Sequence, residues 1–546
     1  MKSSNESYAS AWWALAIILI VSCLYESRFL HYGINRIDES WQLYAAMRLH
    51  AGGVLYDDVF WVFPPGHVWS AWLAWWWDPP GIVPARWIYA VFNVALVGVI
   101  YLLARRLMSQ PFALLAGLLI ALAAPRGHVY QVLFGYRYLV IPMLALLAFD
   151  QRLRGRGARW MVVSGALTGL ALVFRITPAF SVSCAVAVTL VAAHRDFRKW
   201  LPDGLRFAAG LLVAIAPVLA WFSMSVGLQR LFEEVVLHPL AMLQPLPLPE
   251  IVFPDDWNRR EIAEWFVAVQ FRAIWILYFG YGIALAASWL RARRRKEPFR
   301  QTLLLSIVVF GVVFFIRSTG RSDEPHLDSV IPPVCLLAAH FVGVAFEWAW
   351  PRTWDGGRRL LGTSVLIAGI LASWVFLLAT DGVVFPRPGR RLPLESTHQH
   401  LLVGPAHKAV DIDRTIGLLR QVTKPDDVIL NLGPTPLFHA LSGRTGPGYF
   451  DVIMPGTFLE DADERWFVER LEANPPAAVI WPARTFDEME ERSVARIAPR
   501  TSAWVQAHYR ILPGQLGRVP RRMPGGAIAE RRPWRWIVMV PGERGD

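Results

Sequence analysis

The chain has 546 residues, 54% of them hydrophobic and 26 of them tryptophan, with a formal net charge of +12. That apolar fraction excludes an ordinary soluble enzyme and points to a multi-span membrane protein. The positive charge does not mark a nucleic-acid binder, because the Lys and Arg residues fall in short clusters between apolar runs and not on one long basic face.

In chain order, apolar segments of about 15 to 22 residues, the length of a membrane-crossing helix, fall at 11–28, 86–104, 111–125, 131–149, 160–174, 178–193, 205–226, 266–290, 301–316, 329–349 and 360–379. They predict about eleven transmembrane helices, those at 111–125 and 160–174 being the shortest. Basic clusters follow alternate segments: Arg105 and Arg106; Arg152, Arg154, Arg156 and Arg159; Arg195, Arg198 and Lys199; "RARRRKEPFR" at 291–300; and Arg352, Arg358 and Arg359. Positive loops stay in the cytoplasm, so the N-terminus is expected inside. The odd count then puts everything after about residue 380 outside, as in a multi-pass protein of a bacterial inner membrane. Cys23, Cys184 and Cys335 each lie inside an apolar run and read as packing residues, with no disulfide or zinc pattern. "IVSC" at 20–23 has the form of a lipoprotein cleavage box, a pattern short enough to recur in apolar helices.

After residue 380 the composition turns polar. "HKAVDIDRTIGLLRQV" predicts a helix, "VILNL" a buried strand, and "PPAAVIWP" and "WRWIVMVP" two further strands. The expected organisation is a membrane module over 1–380 and a soluble extracytoplasmic α/β domain over 381–546. Its Gly-Pro loops, which carry His439, Tyr449 and Phe450, read as plain turns.

The acids gather in the first outer loop, 30–85, within "RIDESWQLYAAMRLHAGGVLYDDVFWVFPPG" at 36–66. Asp38 stands where a helix N-cap is expected and Gly52 and Gly53 where that helix ends. Asp38, Glu39, Asp57 and Asp58 precede a Pro-Pro break and an aromatic belt of the kind found at bilayer interfaces. A carboxylate there suits a general base toward a hydroxyl or amine. Asp38 and Glu39 together are also candidate oxygen ligands of a divalent cation, though two are few. Cations stand at the outer ends of other runs: Arg137 in "FGYRYLVIP", Arg175 in "LALVFRITP", and Arg317, Arg321 and His326 in "IRSTGRSDEPHLDSVIPP". Converging guanidiniums suit phosphate oxygens, whereas a single one reads equally well as a snorkelling side chain. Asp323, Glu324 and Asp328 read as partners in surface ion pairs.

The first-span boundary followed by "DESWQLYAAMRLHAGGVLYDDVFWVFPPG", the basic residue closing "GLALVFRITP" and the late "GRSDEPHLDSVIPP" together resemble the GT-C superfamily of membrane glycosyltransferases. The branch is that of protein O-mannosyltransferases and lipid A aminoarabinose transferases. The resemblance implies a GT-C module of transmembrane helices and a polyprenyl-phosphate sugar donor. It also implies inverting transfer to a glycan, lipid or protein acceptor outside the membrane. By position it makes Asp38 the base, Glu39 its neighbour and Asp58 the second loop acid, with Asp57 less certain. Arg137, Arg175, Arg321 and His326 would line the phosphate, with His67 and Arg317 as secondary candidates; Arg175 stands where many relatives have Lys. A transporter or flippase for lipid-linked saccharides is the competing reading. It expects ionisable groups near the bilayer midplane and internal repeats, whereas these acids lie in loops.

Overall fold

The computed structural model describes residues 2–76, 81–123, 135–194, 196–243, 247–248, 250–251, 259–322, 324–350, 356–379, 391–404, 406–483, 485, 489–513, 515, 518–522, 528–533 and 535–542. Residues 124–134, Arg195, Asp323 and Arg352, which entered the sequence reading, lie outside them.

Each of the eleven apolar segments contains a helix, the one at 131–149 only from Arg137 onward among its described residues. The first helices are α1 (Lys2–Ser27), α2 (Asp38–His50) and α3 (Gly66–Ala74) in the first loop, α4 (Ile82–Leu107), α5 (Gln110–Ala121), α6 (Val140–Leu153), α7 (Arg159–Phe174), α8 (Ile176–Ala193) and α9 (Phe197–Ser225). Two short turns, α10 (Leu228–Phe232) and α11 (His238–Ala241), then bracket a π-helical turn at Glu233–Leu237. The bundle closes with α12 (Arg259–Arg294), α13 (Thr302–Gly320), α14 (Glu324–Asp328), α15 (Ile331–Ala349) and α16 (Gly356–Ala379). Among the described residues seven helices are long and apolar enough to cross a membrane; Gln110–Ala121 and Arg159–Phe174 are apolar but shorter. The protein is a multi-span helical membrane protein. Small residues set its closest helix contact: a Cβ on Gly165 would meet the Phe207 carbonyl at 1.9 Å, and one on Gly210 would meet that of Val162 at 2.1 Å. Backbones approach this closely where Gly leaves room. Of the three cysteines, Cys335 is buried in the bundle core, but Cys23 is exposed on α1, so packing does not explain it.

The C-terminal region adds a four-stranded sheet. β1 (Leu392–Pro393) and β2 (Leu402–Val403) form a small ribbon, followed by α17 (Ala406–Val422), β3 (Ile429–Asn431), α18 (Leu437–Ser442), α19 (Asp461–Ala473), β4 (Ala478–Pro482), α20 (Val494–Ile497), α21 (Pro499–His508) and β5 (Tyr509–Ile511). A hairpin of β6 (Arg518–Arg522) and β7 (Ile528–Pro533) leads to β8 (Trp536–Pro541). The sheet order is β3-β4-β8-β5, with β3 and β4 parallel and the other pairs antiparallel. The three strands expected from the sequence are β3, β4 and β8. β5 is short, with two of its three residues exposed, and carries no run of its own.

One apolar cluster runs from the first loop into this sheet, joining Trp41, Phe60, Trp61 and Val68 to Ile412, Leu430, Val479 and Val538. Polar contacts fix the same seam. Tyr44 stacks on His439 at 4.8 Å between ring centres and its hydroxyl accepts the Gly446 N–H. Arg48 pairs with buried Asp451 at 3.0 Å. Gln399 Oε1 accepts the Ile82 and Val83 N–H groups, capping α4 from the C-terminal side of the chain.

Candidate functional site

At the seam between bundle and sheet lies a cavity of about 840 Å³. Its floor comes from the first loop, from the α7–α8 break and from the ends of α11 and α13; its roof comes from the C-terminal region. Of the residues proposed from sequence, Asp38, Arg175, Arg317, Arg321 and His326 line it, whereas Glu39, Asp57, Asp58, His67 and Arg137 do not.

Asp38 is held by its neighbours and does not cap α2. The N-cap position is Ile37, with no side-chain cap bond. The turn is tied instead by Asn35, whose Oδ1 accepts the N–H groups of Ile37 and Asp38 at 3.0 and 3.1 Å. Its Nδ2 donates to Asp38 Oδ2 at 2.9 Å. The Asn side chain thus supplies the local hydrogen bonds expected of Asp, the mimicry that makes both residues common at helix starts, and Asp38 is left at the first helical position facing the cavity. Gly52 and Gly53 end α2 as expected, Gly52 at φ +94°.

Glu39, one residue on, points elsewhere, because successive helix residues are about 100° apart. It is buried in a bidentate pair with Arg86 of α4, at 2.6 and 2.7 Å, and accepts the Asn35 N–H. Arg86, fully buried, also donates to the carbonyls of Leu30, Tyr32 and Gly33. Both Glu39 oxygens are therefore engaged, by Arg86 and by the Asn35 N–H, while Asp38 lines the cavity. Among the described residues there is also no group of three His, Cys, Asp or Glu placed to hold a metal ion.

Asp57 and Asp58 are exposed in a tight turn in which Tyr56 adopts φ +71°. Asp58 Oδ2 accepts the Val54 N–H at 2.9 Å and its carbonyl accepts from Arg48, so the side chain closes its own turn. His67 is fully buried, 2.7 Å from the Tyr89 hydroxyl. Burial, then the charge of Arg175, hold its pKa well below the usual value. Arg137 is paired with buried Glu26 of α1 at 2.5 Å, and Glu26 also accepts from Asn93 of α4.

The cavity cations arise where helices stop. Arg175 sits in extended conformation between α7 and α8, its guanidinium 4.9 Å from the Phe63 ring centre. Arg317 is in the last turn of α13 and Arg321 just beyond it. His326 is fixed on α14 through its carbonyl, which accepts from Ser318 and Ser329. The roof adds Lys408, Arg492 and Arg535, and Arg36 stands beside Asp38. Among the described lining residues Asp38 is the one carboxylate. The sequence reading missed Asn35, Glu26, Arg86 and the roof cations. Glu26 and Arg86 each carried a readable signal, a charge inside an apolar helix, which demands a partner.

Residues 63–221 match the family model described as dolichyl-phosphate-mannose-protein mannosyltransferase. No curated protein matches the chain. Among solved structures, ArnT from Cupriavidus metallidurans bound to undecaprenyl phosphate aligns over 97% of this chain and 98% of its own, at 16% identity and a TM-score of 0.55. The same protein in the apo state aligns over 98% of both chains, at 15% identity and a TM-score of 0.54. At that identity the likeness is one of fold.

Proposed function

We propose that this chain, which has the fold of the GT-C superfamily of membrane glycosyltransferases, transfers a sugar from a polyprenyl-phosphate donor to an acceptor at the outer face of a bacterial inner membrane. The N-terminus is then cytoplasmic and the C-terminal region outside. The observation that carries this reading is Asp38, the one carboxylate among the described lining residues of a cavity rich in cations and apolar side chains. The ArnT structure holding undecaprenyl phosphate supports the choice of donor.

In this reading Arg175, Arg317, Arg321 and His326 bind the donor phosphate. Their charge stabilises the negative charge that grows on it as the sugar–oxygen bond breaks. Asp38 takes the proton of the attacking acceptor hydroxyl or amine. The acceptor atom bonds to the anomeric carbon from the face opposite the phosphate, which leaves with the bonding pair, so the configuration inverts. Asn35 and the Glu39–Arg86 pair act as positioning residues: they fix where the Asp38 carboxylate stands. The apolar part of the lining, Ile176, Leu240 and Leu243 among it, gives the prenyl chain a dry surface.

Purified protein in detergent, given undecaprenyl-phosphate sugars and an acceptor extract of the cell envelope, is expected to release undecaprenyl phosphate. Asp38→Asn is expected to lower that rate by about 10²–10⁴-fold with normal yield. Turnover that survives in Asp38→Asn rejects the base assignment. Lipid movement across vesicles without any sugar transfer rejects the transferase reading for a flippase.

A further inference from the structure

His67 does not line the cavity, but it packs against the helix break that carries Arg175. A Cβ on Gly66 would meet the Val173 carbonyl at 2.8 Å and the Phe174 ring at 3.0 Å, so the start of α3 is pressed onto the end of α7. The fully buried His67 ring lies parallel to that of Tyr89, 6.0 Å between centres, and meets those of Tyr138 and Phe174 edge to face at 5.1 and 5.4 Å. The charge that acts on it is that of Arg175. Gln42 of α2, one turn beyond Asp38, reaches the same place: its Nε2 donates to the His67 carbonyl and to the Tyr89 hydroxyl. A small hub of polar atoms thus joins the helix of Asp38 to the helix break of Arg175.

Donor counting in this hub assigns the protons. The His67 carbonyl can only accept, so Gln42 turns its amide nitrogen to it at 2.6 Å and Ser70 gives it the hydroxyl proton at 2.7 Å. The other Gln42 N–H goes to the Tyr89 oxygen at 3.0 Å. With its proton spent, the Ser70 oxygen can only accept from Tyr89, at 3.0 Å, and that uses the one proton Tyr89 has. The last contact, 2.7 Å between Tyr89 and His67 Nδ1, then takes its proton from Nδ1. The opposite choice leaves the Ser70 and Tyr89 oxygens facing each other with no proton between them. The network therefore assigns His67 a protonated Nδ1 and a lone pair on Nε2. Nε2 is buried and has no hydrogen-bond partner among the described residues. A buried acceptor is costly unless a donor reaches it, and the guanidinium whose charge acts on this ring carries five N–H groups.

We infer that His67 is the positioning residue for Arg175: its Nε2 accepts a guanidinium N–H through a bridging water, and this aims Arg175 at the phosphate of the polyprenyl donor. The Tyr89 hub sets the tautomer, and through Gln42 it keeps that guanidinium in register with Asp38. The word donor rests on the transferase reading above; the tautomer and the coupling to Arg175 do not.

Full-length protein in detergent, with nitrogen-15 in its histidines only, reads the tautomer by NMR. The imidazole signals missing from His67→Asn belong to His67, and they are expected to show a protonated Nδ1 and a bare Nε2. A protonated Nε2 overturns the inference. Undecaprenyl phosphate is then titrated into the same protein, with binding read by thermophoresis. His67→Asn keeps a polar group at the Nδ1 position and has none at Nε2, and it is expected to weaken binding by about tenfold, the effect of one hydrogen bond to a charged group. Tyr89→Phe, which removes the hydroxyl that sets the tautomer and keeps the ring, is expected to act in the same direction. His67→Gln, whose amide reaches the Nε2 position, is expected to stay within about threefold of wild type, a rescue that a folding defect would not show. In an Arg175→Ala background His67→Asn is expected to change nothing further, because its effect passes through Arg175. Unchanged affinity in His67→Asn, equal loss in the Asn and Gln variants, a loss that adds to that of Arg175→Ala, or binding indifferent to Arg175→Ala each overturns the inference. If the tautomer and the affinities behave as described while the wild type transfers no sugar, the transferase reading fails and the role of His67 in holding the phosphate-binding arginine stands.

Discussion

The two ends of the helix bundle both gather arginine, with different surroundings. At the cavity end Arg86 and Arg137 are almost completely buried, each against an equally buried glutamate. At the other end Arg106 and Arg154 meet Asp150, and Arg152 and Arg206 meet Asp203, with the arginines 29–45% exposed. A dry pair is costly to form and costlier to break, so it holds geometry; a wet pair contributes little. The cavity end is thus where charge serves precision, and the opposite end where charge is held more loosely.

The largest test of that contrast is Glu39→Gln. It leaves the Arg86 guanidinium buried without its anion, and the expected loss is about 3–5 kcal/mol of stability, read as a lower unfolding temperature by tryptophan fluorescence in detergent. A loss under about 1 kcal/mol would show that the pair behaves like those at the wet end. Because Glu39 and Arg86 hold residues 30–39, turnover by the surviving folded protein should also fall.

Much of this arrangement was legible in the sequence, for reasons of length. A run of span length forms a helix because lipid leaves its backbone no other partner, so a helix stands in each of the eleven segments, and seven of the described ones are long and apolar enough to cross a membrane. Arg175, Arg317, Arg321 and His326 reach the cavity because each interrupts or follows such a run at the same end of the bundle. Arg137 gave the same signal yet pairs with Glu26, an acid near the end of α1 that was read only as part of an apolar span. The adjacency of Asp38 and Glu39 hid their divergence, which follows from the helix turn between them. Lys408 and Arg535 were beyond reach. They come to the cavity only through the packing of the sheet on the first loop, between positions more than 350 residues from Asp38.

A test of intermediate size concerns that packing. Asp451 is buried against Arg48, and burial pushes its carboxyl up to about 7, against the lowering effect of Arg48 and Tyr44. A carboxyl raised in the fold binds more protons there than when unfolded, so its contribution to stability is complete near pH 4 and is lost as pH rises through 7. His439, which burial lowers to about 4, titrates with the opposite sign, so the wild-type curve is a sum. The difference between wild type and Asp451→Asn isolates the acid. The variant should gain in relative unfolding temperature from pH 4 to 7 and no further above it. A flat difference would show that Asp451 does not titrate at the seam.

The smallest expected effect lies at the other end. Asp203, itself buried, accepts from both Arg152 and Arg206 at 3.0–3.1 Å, against 2.6 and 2.7 Å for Glu39 with Arg86. Yet both arginines reach solvent, so water can replace the carboxylate when it is removed. Asp203→Asn should therefore cost about 1 kcal/mol or less and leave turnover within about twofold, since nothing links it to the cavity. Its effect should shrink further in high salt, which screens exposed charges, whereas that of Glu39→Gln should not. If Asp203→Asn destabilised the protein as much as Glu39→Gln, exposure would not be what separates the two ends, and the arginines of the basic loops would be structural in the same sense as Arg86.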